Sequence, residues 1–198
     1  MAQFDAYMYF NANAKGNRLT GVKMGGETTD KYLTGKFKPA PIELTSFSFG
    51  FSIDPTWIKK EQFAKNNMVP RPRFDQVVIT KAVDTSSPGF FQSLCHAGVH
   101  NEAVILQRRG GGDKATGGDI FLSIGLKHVV VTKVEWDSGE GPTPSETVIM
   151  KFDGIEIEYQ PQESSGGHSK SKQKKASWTT GPDSEDEDLD LSSLFDGG

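Results

Sequence analysis

Hydrophobic and polar positions alternate with a period of two along much of the chain, which predicts strands rather than helices. From Asp119 to Trp136 one parity is apolar: Ile120, Leu122, Ile124, Leu126, Val130, Val134 and Trp136. The other parity carries Ser123, Lys127, Lys133 and Glu135. This run is long for a single strand, so a bend is expected near Gly125 or at Lys127-His128. Phe4, Ala6, Met8 and Phe10 share one parity, as do Phe47, Phe49, Phe51 and Ile53. Val77-Val78-Ile79 within Phe74–Val83, and Ala103-Val104-Ile105-Leu106, are apolar on both faces and predict buried strands. Val148, Met150 and Phe152 are even, whereas Ile155, Ile157 and Tyr159 are odd. The slip at Asp153-Gly154 predicts a bulge.

One helix is signalled, over Pro88–Ala97. Ser87 can cap it, Pro88 suits its first position and Gly98 suits the left-handed residue after its last turn. Its predicted buried stripe is Phe91, Leu94 and Cys95. The expected fold class is therefore all-β, a compact barrel or sandwich closed on itself with one short capping α-helix. Asn11–Pro41 reads as a long Gly- and Lys-rich excursion. Asp54–Arg73 is too long for a hairpin turn and carries Trp57, Lys59, Lys60 and Phe63, so it reads as a functional loop. Gly110–Gly118 reads as a hairpin connection; it lacks phosphate-loop spacing and a strand follows it, not a helix. Arg108-Arg109 beside it are expected to be solvated.

Charge divides the chain. Residues 1–162 hold 18 basic and 18 acidic groups, while residues 163–198 hold 4 basic and 8 acidic ones, so the net charge of −4 sits entirely in the tail. A neutral body argues against a nucleic-acid surface. The tail opens with a Ser/Gly/Lys-rich linker and continues into an acidic run, Asp183–Asp190. Neither can bury a core, so the expected division is a β-domain over 1–162 and a disordered tail over 163–198. Leu191, Leu194 and Phe195 follow the acidic run and would share one helical face, a candidate docking motif.

Composition removes further classes. Cys95 is the single cysteine, so no internal disulfide is possible. No apolar run approaches a membrane span, and Met1-Ala2-Gln3-Phe4-Asp5 lacks the basic and apolar regions of a secretory signal. Cys95, His96 and His100 are the one Cys/His cluster; Gly98 should break the helix between the histidines, and Cys95 is expected to be a buried inert thiol. No carboxylate pair is placed in a shared pocket. The residues nominate no catalytic, cofactor or metal site, which favours a structural or interaction protein.

Four segments together resemble the Hcp family, the haemolysin-coregulated tube proteins of bacterial type VI secretion. Ile42–Gly50 resembles the family's I-x-L-x-S-F-x-x-G strand. Phe74–Pro88 is similar to its strand-then-helix segment, with Lys81, Asp84, Ser87 and Pro88 in matching places. Glu146-Thr147-Val148, then Phe152, Ile155 and Tyr159-Gln160-Pro161-Gln162, resemble its closing strand, and Gly26-Glu27-Thr28-Thr29-Asp30 its short G-E-S-x-D turn. The resemblance implies a barrel that assembles as homo-hexameric rings stacked into a tube, with small effectors in the lumen and sheath, tip and baseplate proteins as partners. It implies residence in the bacterial cytoplasm followed by secretion without a signal peptide, and a ring-stacking role for the loop bearing Trp57, Lys59, Lys60 and Phe63. No enzyme activity, nucleic acid or membrane insertion is implied. The alternative is a free-standing β-sandwich binding module that does not form a tube.

Overall fold

The computed structural model describes residues 4–11, 24–53, 72–109, 120–139, 142–161 and 173–179. The strands are β1 (Phe4–Phe10), β2 (Ile42–Leu44), β3 (Ser46–Ser48), β4 (Phe51–Ser52), β5 (Arg73–Phe74), β6 (Val77–Ala82), β7 (Val99–Arg109), β8 (Ile120–Asp137), β9 (Ser145–Lys151), β10 (Gly154–Tyr159) and β11 (Lys174–Thr179). The helices are α1 (Lys31–Lys36) and α2 (Ser87–Cys95). The main ladder runs β2-β1-β7-β8-β9-β6-β3, with β10 added to the first half of β8 and β11 to β10. All neighbours are antiparallel.

The all-β class holds, but the sheet is not closed. Its ends, β2 and β3, are joined through Thr45 along the chain rather than by hydrogen bonds. The segment from Ile42 to Ser48 turns a corner there, pairing first with β1 and then with β6. The Thr45 amide donates to the Thr80 carbonyl at the corner, 2.8 Å away.

β8 is continuous over 18 residues, yet its phase changes twice. Ile120, Ile124 and Leu126 are buried, then Val129 and Val131, so Val130 is not on the core parity as expected. The first change is at His128, which has φ 50°. Here β8 bends together with the break between β9 and β10. Pairing across that break stays in register, Lys127 with Gly154 and Val130 with Lys151, so the slip at Asp153-Gly154 is a shared corner, not a bulge. The bulge lies further on, between Val131 and Lys133, where Thr132 is the extra residue and its hydroxyl donates to the Ile149 carbonyl at 3.0 Å.

The main core gathers Met8, Phe10, Ile42, Ile79, Phe90, Ile105, Ile124, Leu126, Val148 and Met150. A second, smaller core lies on the other face of β1 and β7, where α1 places Leu33, followed by Phe37, over Tyr7, Val104, Leu106 and Ile120. This explains why Ala103–Leu106 is buried on both faces. Each side chain removed from water contributes about 1.5–3 kcal/mol. The expected excursion over 11–41 thus contains a second helix. Asp30 caps it, accepting from the Leu33 amide at 3.0 Å.

Two further expectations are corrected. The tail is not disordered throughout, because Lys174–Thr179 pairs with β10 over six residues. A partner strand in register satisfies a backbone that polar composition alone would leave to water. The other correction concerns α2, which ends at Cys95 and turns its predicted stripe partly outward. Phe91 and Cys95 are exposed, and of the three residues only Leu94 packs on the core.

Candidate functional site

Three cross-strand neighbours form a row across β8, β9 and β6: Trp136 opposite Glu146, and Glu146 opposite Lys81. Lys81 and Glu146 are both fully buried. The Lys81 ammonium lies 2.8 Å from Glu146 Oε2 and 2.6 Å from Asp84 Oδ1, and donates to the Ala82 carbonyl at 2.9 Å. Ser87 at the start of α2 donates to Glu146 Oε2 at 2.7 Å and accepts from Lys81 Nζ and the Asp84 amide, each at 3.1 Å. The Trp136 indole donates to Glu146 Oε1 at 2.7 Å, although its ring is 58% exposed. Asp84 Oδ1 also accepts from the Ser86 amide at 2.9 Å and the Ser86 hydroxyl at 2.5 Å.

A hydroxyl has one donor and two acceptor positions, and an ammonium has three donors. Ser87 and Lys81 are therefore saturated within this cluster. A buried charge network in that condition holds the β6–α2 corner in one arrangement. The helix is rotated for the same reason. Ser87 turns inward to the cluster, and Phe90 inward beneath Lys81, whose Nζ lies 5.8 Å from its ring centre. Ser87 is thus not the cap; Ser86 holds the N-cap position and Ala97, at φ 46°, takes the left-handed place expected of Gly98.

The turn Gly26–Asp30 fastens the same corner to the second core. Glu27 accepts from the Thr85 amide at 3.0 Å, and the Thr85 hydroxyl donates to the Gly25 carbonyl at 3.2 Å. A Cβ on Gly26 would lie 2.5 Å from the Pro41 carbonyl oxygen and 2.6 Å from Ile42 Cα, so only glycine fits. Asp30 also binds Arg108, 2.6 Å from Nη1. Arg108 is buried beside the Tyr7 and Tyr32 rings, which corrects the expectation that it is solvated. Burial raises the Asp30 pKa, but the Leu33 amide and the Arg108 guanidinium outweigh it, and the group sits below its ordinary value.

The Cys/His cluster is not brought together. Cys95 is exposed, not buried as expected. His96 bonds the Gln92 carbonyl at 2.8 Å, while His100 is buried with Nε2 3.0 Å from the Ser93 hydroxyl. Burial pulls the His100 pKa down to about 4. Among the described residues no three His, Cys, Asp or Glu groups are placed to hold a metal ion.

A row of aromatics runs from the edge of the main core, where Phe47, Phe49, Phe74 and Phe152 are half-buried against it, to the surface at Phe51. Phe47, Phe49 and Phe51 form a ridge with ring centres 6.5 and 6.3 Å apart, and Phe74 meets Phe152 at 5.8 Å. The ridge ends in Phe51, 62% exposed, and Ile53, at the entrance to segment 54–71. Trp57, Lys59, Lys60 and Phe63 lie outside the described residues, as do Leu191, Leu194, Phe195 and the Gly110–Gly118 loop. Sequence reasoning missed Glu146, Trp136 and Arg108 as members of these networks. The one available signal was an acidic residue at an inward-facing strand position, Glu146 before Val148 and Met150.

A family model described as "Type VI secretion system effector, Hcp" matches residues 14–159. Protein hcp1 of Pseudomonas aeruginosa is 33% identical over 89 residues, which span 44% of this chain and 52% of that protein. A solved structure of a type six secretion system protein superposes with a TM-score of 0.66 at 20% identity, covering 89% of this chain and 96% of the other. Hcp1 from Salmonella typhimurium gives 0.60 at 18% identity, covering 91% and 96%. At such identities the likeness to these structures concerns the fold.

Proposed function

Because the chain belongs to the Hcp family of type VI secretion proteins, we propose that it is a structural subunit of the secretion tube. In this reading subunits close into hexameric rings, rings stack within a contractile sheath, and contraction expels the tube with small effectors in its lumen. The family match over residues 14–159 carries the proposal. Supporting it are β2 and β3, which among the described residues each pair with a strand on one side alone, and an aromatic row that reaches the surface at Phe51. A head-to-tail ring covers such edges and closes on itself. Sheath, tip and baseplate proteins are the further partners, and the route runs from the bacterial cytoplasm to the outside. Among the described residues no helix is long and apolar enough to cross a membrane.

Light scattering tests the ring. A mass near six times the 21.6 kDa of one chain, with annular particles in negative stain, is expected. Monomers alone at tens of micromolar would favour the free-standing binding module. In the same reading the Asp54–Arg73 loop, through Trp57, Lys59, Lys60 and Phe63, makes the ring-stacking contact, since large apolar groups in a polar loop anchor interfaces. Trp57→Ala with Phe63→Ala should shorten tubes in micrographs while single rings persist.

A further inference from the structure

The aromatic row runs off the main core and ends in the open. Phe51 and Ile53 share one parity of the chain and are 62% and 47% exposed. Phe51 stands opposite Phe74 in the β4–β5 ribbon, and the Phe74 ring meets that of Phe152. The row therefore reaches from β4 to the corner where β9 gives way to β10.

The tail leaves the body at that same corner. Thr179 ends β11 and is paired with Gly154, where an added Cβ would lie 2.7 Å from Thr179 Cγ2. Phe152 is two residues from Gly154, so strand spacing and rise per residue place it within about 12 Å of the tail's exit. Nineteen residues follow Thr179, and their hydrophobic groups, Leu189, Leu191, Leu194 and Phe195, fall near the end. Residues 180–190 span at most roughly 40 Å when extended. Ring centres along the row are 5.8 to 6.5 Å apart, so that tether crosses the row with length to spare. Charge agrees. Between Ile53 and Phe74 the sequence carries five basic groups and two acidic ones, the exposed Asp75 offsets one of them, and exposed Lys151 adjoins Phe152. Six of the eight residues Asp183–Asp190 are acidic.

We propose that the exposed end of the aromatic row, Phe51 and Ile53, is a docking site for the chain's own segment Leu191–Phe195, with the acidic run beside the basic stretch that adjoins the row. Leu191, Leu194 and Phe195 have the spacing with which a short amphipathic segment lays its apolar side on a hydrophobic surface. A tether of this length gives an effective concentration in the millimolar range, so a modest intrinsic affinity keeps the segment in place. Docked, it withholds Phe51 and Ile53 from other molecules until a tighter binder displaces it. The contact forms within one chain and does not rest on ring formation.

The test uses the full chain with Cys95→Ser, which removes the native thiol. Ser52→Cys is placed between Phe51 and Ile53, and Ser193→Cys beside Leu194, so none of the apolar contacts is altered. Mild oxidation should link the two within one chain, seen as a faster-migrating monomer on a non-reducing gel. The rate should exceed by about tenfold or more that of Ser193→Cys paired with Lys31→Cys, an exposed position on α1 across the sheet. Adding Leu191→Ser and Phe195→Ser should abolish the difference. Separately, a synthetic peptide of residues 182–198 should bind the full-length Leu191→Ser, Phe195→Ser chain saturably, and the wild-type chain about tenfold or more weakly, because there the site is already filled. Linkage between chains instead of within one would assign the row to a neighbouring subunit and overturn the proposal. Equal rates for the two cysteine pairs, or equal peptide binding by wild type and variant, would overturn it as well. Light scattering decides the ring independently of all three results.

Discussion

Replacing Lys81 by Met removes the ammonium and keeps most of the stem. Four contacts are lost, at 2.6 Å to Asp84, 2.8 Å to Glu146, 2.9 Å to the Ala82 carbonyl and 3.1 Å to Ser87. What remains is worse than a missing bond. Glu146 has no solvent exposure and would keep only the Trp136 indole and the Ser87 hydroxyl as donors. Breaking one side of a buried ion pair costs about 3–5 kcal/mol, mostly from the charge left behind. For a body of this size that is a fall of roughly 10 °C in Tm. If the stranded carboxylate is the cause, adding Glu146→Gln should recover part of the loss. The double variant should then be at least ~1 kcal/mol more stable than the sum of the two singles predicts. Urea unfolding followed by far-UV circular dichroism, at one protein concentration for all variants, measures both quantities. A single-variant cost below ~1 kcal/mol, or strict additivity in the cycle, would refute the reasoning.

Other predictions rest on separate contacts. Gly26→Ala should destabilise by about 2 kcal/mol or more, because its methyl meets backbone at Pro41 and Ile42 that cannot swing aside; thermal unfolding checks this. His100 stays neutral in the fold down to about pH 4 while the unfolded chain protonates it near 6.5, so stability should rise with pH between those values, and a His100→Gln variant should show a flatter profile there. The lowered Asp30 group works in the same direction at lower pH: its contribution is full above the ordinary value of 3.8 and fades as pH falls through the folded one, so Asp30→Asn should lose stability at neutral pH and little at strongly acid pH. Exposed Cys95 should react with a thiol reagent in the native protein nearly as fast as in urea, and Cys95→Ser should change stability by less than ~0.5 kcal/mol.

Strand content was legible because alternation is a local property. The apolar parity of Phe4–Phe10 and of Val148 and Met150 follows from the pleat alone, which sends successive side chains to opposite faces. The neutral body and acidic tail were equally plain, being sums over residues. The motif positions Lys81, Asp84 and Ser87 were visible as a resemblance, without their partners. Glu146 lies 65 positions beyond Lys81 in the chain, and no local pattern couples residues that far apart.

What the tertiary structure decided were the phase changes and the choice of buried polar groups. His128 and Thr132 shift the parity of β8 because β8 bends with the β9–β10 break and then takes up a bulge against β9. α2 turned Phe91 outward because Ser87 had to reach Lys81 and Glu146, a demand set by strands distant in sequence. Lys174–Thr179 became a strand despite a polar composition because β10 offered an open edge in register. In each case the deciding energy belongs to a pair of residues on different elements. The sequence of either element alone specifies its period and its polarity, and the pairing free energy exists only once the fold has brought the two together.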